Sequence, residues 1–172
     1  MERLTDDMLT LAKAERGGLI QRRRVPIDYF VEDLRRDLPL LGPRHYTVES
    51  SIHGELQADP DRLAQVLRNL VTNAVRHTPG DGHVDISITA DDGTAVFAVR
   101  DDGTGIEHDQ LGRIFDRFHR TDEGRGRAEG GSGLGLAIAK AIVETHGGSI
   151  AAESSPGGGA TIRFTVPGYR ER

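Results

Sequence analysis

Residues 59–78 read DPDRLAQVLRNLVTNAVRHT, and this stretch carries the strongest structural signal in the chain. Asp59 is a favoured helix cap, Pro60 suits the first helical position, and Asp61 lies near the positive end of the helix dipole. The apolar residues that recur at helical spacing share one face: Leu63, Val66, Leu67, Leu70, Val71 and Ala74. The stretch therefore predicts one amphipathic helix that buries this face against the rest of the protein.

Polar residues lie beside that apolar face. At about 100° per residue, Asn69, Asn73 and Arg76 fall on one stripe of the helix. Asparagine is unfavourable inside helices, so two of them one turn apart suggest a function. An amide oxygen can bind Mg²⁺, which prefers oxygen ligands and shares them with substrate phosphates. Considered alone, however, the pair is better explained as two solvated surface residues.

The pattern around this helix predicts further helices and strands. Asp91-Asp92-Gly93 is a hairpin signal between two runs typical of strands. The predicted helices cover residues 1–18, 28–41, 59–78 and 133–146, and the predicted strands cover 46–52, 84–90, 95–100, 149–154 and 160–166. Residues 107–131 hold a short apolar segment and then glycines and arginines, which indicates a mobile loop of unusual length. This order predicts a two-layer α/β sandwich, with helices on one face of a mixed, largely antiparallel sheet.

Composition limits the class of protein. The chain has 172 residues, of which 36% are hydrophobic, so it suits one globular domain with a short appendage. The formal net charge of -5 argues against broad attraction to nucleic acid or anionic membranes. The chain has no cysteine, which excludes disulfides and cysteine metal sites. No apolar run approaches the ~20 residues of a membrane helix, so we expect a soluble, cytoplasmic fragment.

A second candidate site follows the strand predicted at residues 95–100. Asp101 lies at its end, and Gly103 and Gly105 come directly after. A carboxylate can accept a hydrogen bond from an amine such as the exocyclic N–H₂ of adenine. Glycines would let a base approach the backbone closely. An ordinary Asp-Gly turn explains these residues equally well when they are taken alone.

A third candidate is the sequence GGSGLGL of residues 130–136, which opens a predicted helix. Small residues at a helix N-terminus expose backbone N–H groups to an anion. The segment is not a Walker motif, because no Gly-Lys-Ser/Thr follows, and its spacing is not that of a dinucleotide fingerprint. A flexible linker is the alternative, but the apolar residues within and after the segment argue against it.

Four segments, taken in order, resemble the nucleotide-binding boxes of the sensor histidine kinase catalytic domain. LRNLVTNAVRHT (67–78) resembles the asparagine box, VRDDGTGI (99–106) the first glycine box, IFDRFHR (114–120) the phenylalanine box and GGSGLGLAI (130–138) the second glycine box. The resemblance covers the whole chain, and the wider group includes gyrase, Hsp90 and MutL. It implies the Bergerat-type ATP-binding fold of that group, with ATP and Mg²⁺ as ligands.

The resemblance also implies roles for the polar residues of the first two boxes. Asn73 would ligate Mg²⁺, and Asn69 would stand near the γ-phosphate or a metal-bound water, so both are candidate catalytic residues. Arg76 would contact phosphate, and His77 would line the ribose or phosphate side. Asp101 would read the adenine amine.

Other expected nucleotide-binding residues follow from the same resemblance. Phe115 and Phe118 would anchor a lid over the nucleotide, and Arg120 could approach the phosphates. The remaining candidates are the backbone and apolar residues of the two glycine boxes, namely Gly103, Gly105, Ile106, Gly131, Ser132, Gly133, Leu134, Gly135 and Leu136.

The resemblance implies a division of the chain as well. Residues 1–18 would end a helix of the dimerisation and histidine-phosphotransfer domain, 19–26 would be a linker, 27–168 the catalytic ATP-binding domain and 169–172 a tail. We expect the partners to be that dimerisation domain and, indirectly, a response regulator, with no nucleic acid. The fragment would be monomeric, and the parent a homodimer in the cell membrane with this domain in the cytoplasm.

No histidine of the chain occurs in the family's phosphoacceptor pattern, so the acceptor should lie on another segment. Three alternatives remain open. An anti-sigma type serine kinase is disfavoured by Phe115 and Phe118. An ATPase of the gyrase or Hsp90 kind carries a Glu general base where this chain has Asn69. A nucleotide-binding regulatory module without catalysis is disfavoured by the presence of Asn73 and Asp101.

Overall fold

The computed structural model describes residues 2–18, 20–119 and 131–172. In these ranges the helices are α1 (Glu2–Glu15), α2 (Ile27–Asp37), α3 (Pro60–His77), α4 (His108–Leu111) and α5 (Gly135–Thr145). The strands are β1 (Arg23–Pro26), β2 (His45–Ser50), β3 (Gly54–Ala58), β4 (His83–Asp91), β5 (Thr94–Asp101), β6 (Ile150–Ser154), β7 (Ala160–Pro167) and β8 (Tyr169–Glu171). None of these helices is long and apolar enough to cross a bilayer. Most of the glycine- and arginine-rich part of the predicted mobile loop, residues 120–130, lies outside the described residues.

The helix α3 starts and ends where its sequence signals predict. The Asp59 carboxylate accepts hydrogen bonds from the N–H groups of Asp61 and Arg62, at 3.1 and 3.2 Å. At the other end, the Thr78 hydroxyl donates to the Ala74 carbonyl at 2.6 Å. All six apolar residues of the predicted face are at most 3% exposed, and the larger ones each contribute about 1.5–3 kcal/mol by burial. The helix packs on β5 and α5, so its apolar face joins both layers of the fold.

The main sheet has five strands in the order β2-β4-β5-β7-β6. β2 and β4 are parallel, joined by a crossover that contains α3, and the other neighbours are antiparallel. The register places Phe97 opposite Phe164, with their rings stacked at 4.8 Å between centroids. Along β4, Ile86 and Ile88 are buried while Ser87 between them is exposed, so only one face carries helices. The predicted two-layer sandwich with a mixed, largely antiparallel sheet is confirmed.

Three short strands form a second sheet in the order β1-β3-β8. These strands were not predicted from the sequence: β1 lies within the segment 19–26 assigned as a linker, β8 lies within the segment 169–172 assigned as a tail, and both pair with β3. Val25 lies opposite Leu56, and Leu56 lies opposite Tyr169. Strands of three to five residues carry little periodic signal and depend on partners distant in sequence.

Two predicted helix boundaries also differ from the structure. The segment 28–41 is not one helix, because α2 ends at Asp37 and a 3-10 helix, Leu38–Leu41, follows. Pro39 has no N–H, so it cannot continue the α-helical hydrogen bonds. α5 begins at Gly135 and not at Gly133, whose φ of 73° lies outside the right-handed helical region. The placement of a domain boundary near residue 27 stays a prediction.

His146 joins the end of α5 to the start of α3. Its Nδ1–H donates to the Ile142 carbonyl at 2.8 Å, and its Nε2 accepts the Asp59 N–H at 3.1 Å. A carbonyl can only accept and an N–H can only donate, so these partners require the neutral ring with the proton on Nδ1. The side chain is 4% exposed, and burial lowers the pKa of His146 below its usual value.

This contact predicts a dependence of stability on pH. The unfolded chain binds a proton at His146 with a pKa of about 6.5, whereas the native ring stays neutral to lower pH. The stabilisation is therefore present above about pH 6.5 and is lost as the pH falls below it, by at most about 1.4 kcal/mol per pH unit.

Urea unfolding followed by circular dichroism between pH 7.5 and 5.5 would measure this slope. We expect His146→Gln to remove part of it, and His108→Gln, at an exposed position on α4, to retain it. Equal slopes in both variants would contradict the assignment of the titration to His146.

Candidate nucleotide-binding site

The polar stripe of α3 lies at the edge of its buried face. Asn69 and Asn73 are half-buried, Arg76 is exposed, and His77 is the half-buried last residue of the helix. The His77 carbonyl accepts a hydrogen bond from the N–H of Thr104 at 3.3 Å. The stripe therefore ends against the loop that follows β5.

The glycine loop before α5 contacts this stripe at two points. A Cβ on Gly131 would lie 2.5 Å from Nη1 of Arg76, so the guanidinium packs on the bare backbone of Gly131. Four residues later, the Asn69 Nδ2 donates to the Gly135 carbonyl at 3.0 Å. Residues 69 and 76 are separated by roughly 10 Å along a helix. The loop therefore follows α3, with Asn73 between the two contacts.

The first turn of α5 faces this loop. Its first helical hydrogen bond runs from the Ile138 N–H to the Leu134 carbonyl at 2.8 Å. The N–H groups of residues 135–137 come before that bond and therefore have no acceptor within the helix. Leu134 is completely buried and fastens the loop to the core, while its expected contact with a ligand stays a prediction. Such a helix start, beside an arginine and two amide side chains, can hold an anion.

Asp101 lies at the end of β5 and is 7% exposed. Its Oδ1 accepts the N–H of Gly103 at 2.9 Å. Burial raises the pKa of Asp101, and hydrogen bonds from the N–H groups of Gly103 and Ala160 oppose that rise. A buried acceptor at a strand end suits a ligand that carries an amine.

The two glycines after Asp101 are required by close approaches of the backbone. A Cβ on Gly103 would lie 2.2 Å from the His77 carbonyl oxygen. A Cβ on Gly105 would lie 2.0 Å from the Ser155 carbonyl oxygen, and Gly105 has a φ of 79°. The loop is therefore wedged between the end of α3 and the turn after β6.

Two residues near that turn, Ser154 and Gly159, were not among the site residues predicted from the sequence. The Ser154 hydroxyl accepts the N–H of Ile106 at 2.7 Å and donates to the Gly159 carbonyl at 2.6 Å. A Cβ on Gly159 would lie 2.0 Å from the carbonyl oxygen of Asp101. The run of three glycines before β7 is the sequence signal for this contact. It identifies Gly159 only once β7 is known to pair with β5.

The remaining candidates are dispersed around the loop. Phe115 packs partly buried against the core, whereas Phe118 is 56% exposed in the left-handed region at φ 59°. Their expected role in anchoring a lid stays a prediction. The exposed Ser132 hydroxyl donates to Asp7 of α1 at 3.3 Å. Leu136 is partly buried on the core side of α5. Arg120 lies outside the described residues.

Acidic and histidine side chains do not form a metal cluster here. Across the described ranges, no group of three or more such residues could hold a metal ion. A divalent ion at Asn73 would therefore take most of its ligands from phosphates and water, which is how Mg²⁺ binds in nucleotide sites. The neutral amide of Asn73 and the glycine cradle fit that arrangement.

Comparisons with known proteins find relatives along nearly the whole chain. A family model described as histidine kinase-, DNA gyrase B-, and HSP90-like ATPase matches residues 58–170. The sensor histidine kinase WalK of Bacillus subtilis is 36% identical over 99% of this chain and 29% of its own length. The signal transduction histidine-protein kinase BaeS of Escherichia coli is 35% identical over 99% of this chain and 38% of its own. The chain thus spans about three to four tenths of the length of these relatives.

Solved structures share the fold. Full-length ShkA in complex with AMPPNP matches with a TM-score of 0.83 at 28% identity, over 99% of this chain and 36% of that chain. The mycobacterial sensor histidine kinase MprB matches with a TM-score of 0.72 at 26% identity, over 88% of this chain and all of that one.

The position of Asp101 predicts that Asp101→Asn will weaken binding of adenine nucleotides about ten- to a hundredfold. A charge-assisted hydrogen bond contributes about 1.5–3 kcal/mol to binding. The asparagine side chain can turn its own N–H₂ toward the adenine amine, and two donors cannot bond to each other. Isothermal titration calorimetry with ATP would measure the loss. Asp102→Asn is the matched control, since its side chain bonds His83 at the surface. An unchanged affinity in folded Asp101→Asn would refute the assignment.

Proposed function

The chain belongs to the histidine kinase-, DNA gyrase B-, and HSP90-like ATPase family, and from this premise we propose that it binds Mg²⁺–ATP and transfers the γ-phosphoryl group to a histidine on another segment. The transfer would serve two-component signalling, with a dimerisation and phosphotransfer domain as the direct partner and a response regulator as the indirect one. The observation that supports this proposal most is the contact of α3 with the glycine loop on both sides of Asn73.

Each part of the site has a task in this proposal. The Asp101 carboxylate accepts a hydrogen bond from the adenine amine and so sets the orientation of the nucleotide in the site. The N–H groups at the start of α5 and the guanidinium of Arg76 face the phosphates, and the Asn73 oxygen supplies one ligand to Mg²⁺. The ion, when bound, neutralises charge on the phosphate oxygens. Phosphoryl transfer needs mainly such positioning and neutralisation, which these rigid contacts provide.

The transfer itself needs a nucleophile from elsewhere. A neutral imidazole nitrogen of the partner forms the new P–N bond while the bond between the γ-phosphorus and its bridging oxygen breaks. ADP leaves with that electron pair, and solvent takes the proton carried by the other ring nitrogen of the imidazole. Within the described part of the chain, His146 is held as a buried hydrogen-bonding group and cannot serve as this acceptor.

We expect Asn73→Ala to remove mainly the Mg²⁺-dependent part of ATP affinity, by about tenfold or more. The variant loses an oxygen ligand but leaves the Asp101 end of the site unchanged. ATP titrations with Mg²⁺ and with EDTA would separate the two parts. Arg68→Ala is the control on the same helix, because Arg68 lines a cleft beside α2 with Asp37 and Leu41. A wild-type response to Mg²⁺ in Asn73→Ala would place the metal elsewhere.

Transfer of the γ-phosphoryl group is expected to need a separate acceptor domain. The chain incubated with ATP labelled in the γ-phosphate should bind it without labelling itself, because no histidine here has a phosphoacceptor context. Addition of the matching dimerisation domain should give slow labelling of that domain, since two separate polypeptides lack the effective concentration of a tether.

The chemistry of the product decides between kinases. A phosphohistidine is lost in acid and survives base, whereas a phosphoserine behaves in the opposite way. At ATP concentrations below saturation, Asp101→Asn should slow the labelling in proportion to its loss of ATP affinity. An acid-stable product, or strong self-labelling of this chain, would overturn the histidine kinase proposal in favour of a serine kinase.

A further inference from the structure

We propose that Asn69 is a positioning residue that fastens the start of α5 to α3, and that it does not act on the γ-phosphate or on a metal-bound water. The residue comes one turn before Asn73, and the sequence had suggested a place for it at the reacting phosphate. Its direct contact is instead with the helix that follows the glycine loop, through the hydrogen bond from its Nδ2 to the Gly135 carbonyl at 3.0 Å. The phosphate-related part of this inference depends on the proposed nucleotide site.

The orientation of the Asn69 amide follows from its partner. A carbonyl oxygen only accepts hydrogen bonds, so the nitrogen of the amide must face Gly135. The side chain also lies in van der Waals contact with that residue, because a Cβ on Gly135 would be 3.9 Å from Cβ and Cγ of Asn69. One N–H of the Asn69 amide is therefore engaged with α5, and an amide has no basicity with which to activate a nucleophile.

The contact lies where it can control the phosphate-binding geometry. Gly135 is the first residue of α5, and the N–H groups of residues 135–137 precede the first helical hydrogen bond. The buried side chain of Leu134 holds the helix start on the core side, and Asn69 holds it on the side of α3. Residues 69 and 73 are about 6 Å apart along α3. Asn69 thus fixes the distance between the amide groups of α5 and the proposed metal ligand Asn73.

Three variants separate this role from the alternatives. Asn69→Ala removes the hydrogen bond. Asn69→Asp keeps the size of the side chain but, when ionised, places a carboxylate oxygen against the Gly135 carbonyl. Arg68→Ala is the control on the neighbouring position of α3, which faces the cleft beside α2.

The first measurement is hydrogen exchange of the protein without nucleotide. In Asn69→Ala and Asn69→Asp, the first hydrogen-bonded amides of α5 should exchange about three- to tenfold faster, while Arg68→Ala leaves them unchanged. This measurement does not depend on the proposed function, so it remains decisive if the chain fails to bind ATP. Unchanged exchange at the start of α5 in both Asn69 variants would overturn the proposal.

The second measurement compares three ligands: adenosine, ADP in EDTA, and Mg²⁺–ATP. A positioning role toward the phosphates predicts a loss of about three- to tenfold for ADP and a similar loss for Mg²⁺–ATP, with adenosine affinity unchanged. At neutral pH Asn69→Asp should lose at least as much as Asn69→Ala. A loss confined to Mg²⁺–ATP would place Asn69 at the γ-phosphate or the metal. A loss for adenosine as well would indicate general damage to the fold, and either result would refute the role stated here.

Discussion

Burial of the apolar face of α3 is the constraint on which the rest of the site depends. That face is pressed against β5 and α5, with Val66, Leu67 and Val71 fully buried. A helix has no freedom to rotate once such a face is buried, because rotation by one residue would expose apolar side chains to water. The direction of the polar stripe is therefore fixed by packing, and the two asparagines lie at the edge of the core beside the glycine loop.

Close backbone approaches convert this packing into a shaped site. Gly103 lies against the end of α3, Gly105 against the turn after β6, and Gly159 against Asp101. In each case the atom that a Cβ would meet is a main-chain carbonyl oxygen, which cannot move aside as a flexible side chain can. The Asp101 carboxylate is held at the meeting point of three segments, and its burial follows from this crowding. Glycine is required at these positions because a side chain would not fit, and Gly105 and Gly159 also have positive φ angles.

Polar contacts at the helix ends complete the frame. His146 links the last turn of α5 to the cap of α3, while Asn69 links the first turn of α5 to the middle of α3. The two helices are thus joined at both ends of α5 as well as by apolar packing between them. A loop that binds an anion through backbone N–H groups gains most from such support, because those groups are then already aligned.

The sequence by itself determined the elements whose signals are local. The cap at Asp59, the apolar face of α3 and the hairpin at Asp91-Asp92-Gly93 all depend on residues within a few turns of one another, and the structure has each of them. The resemblance of four ordered segments was enough to predict the family and the ligand class. The same motifs predicted which residues line the site, and those assignments stay predictions.

Contacts between segments that are distant in the sequence were decided only by the tertiary structure. β3 exists as a strand because β1 and β8 flank it, and these come from opposite ends of the chain. Gly159 matters because β7 lies beside β5, and the amide of Asn69 faces α5 because Gly135 arrives next to it. Local periodicity cannot report such contacts, since neither partner changes the pattern of the sequence around the other.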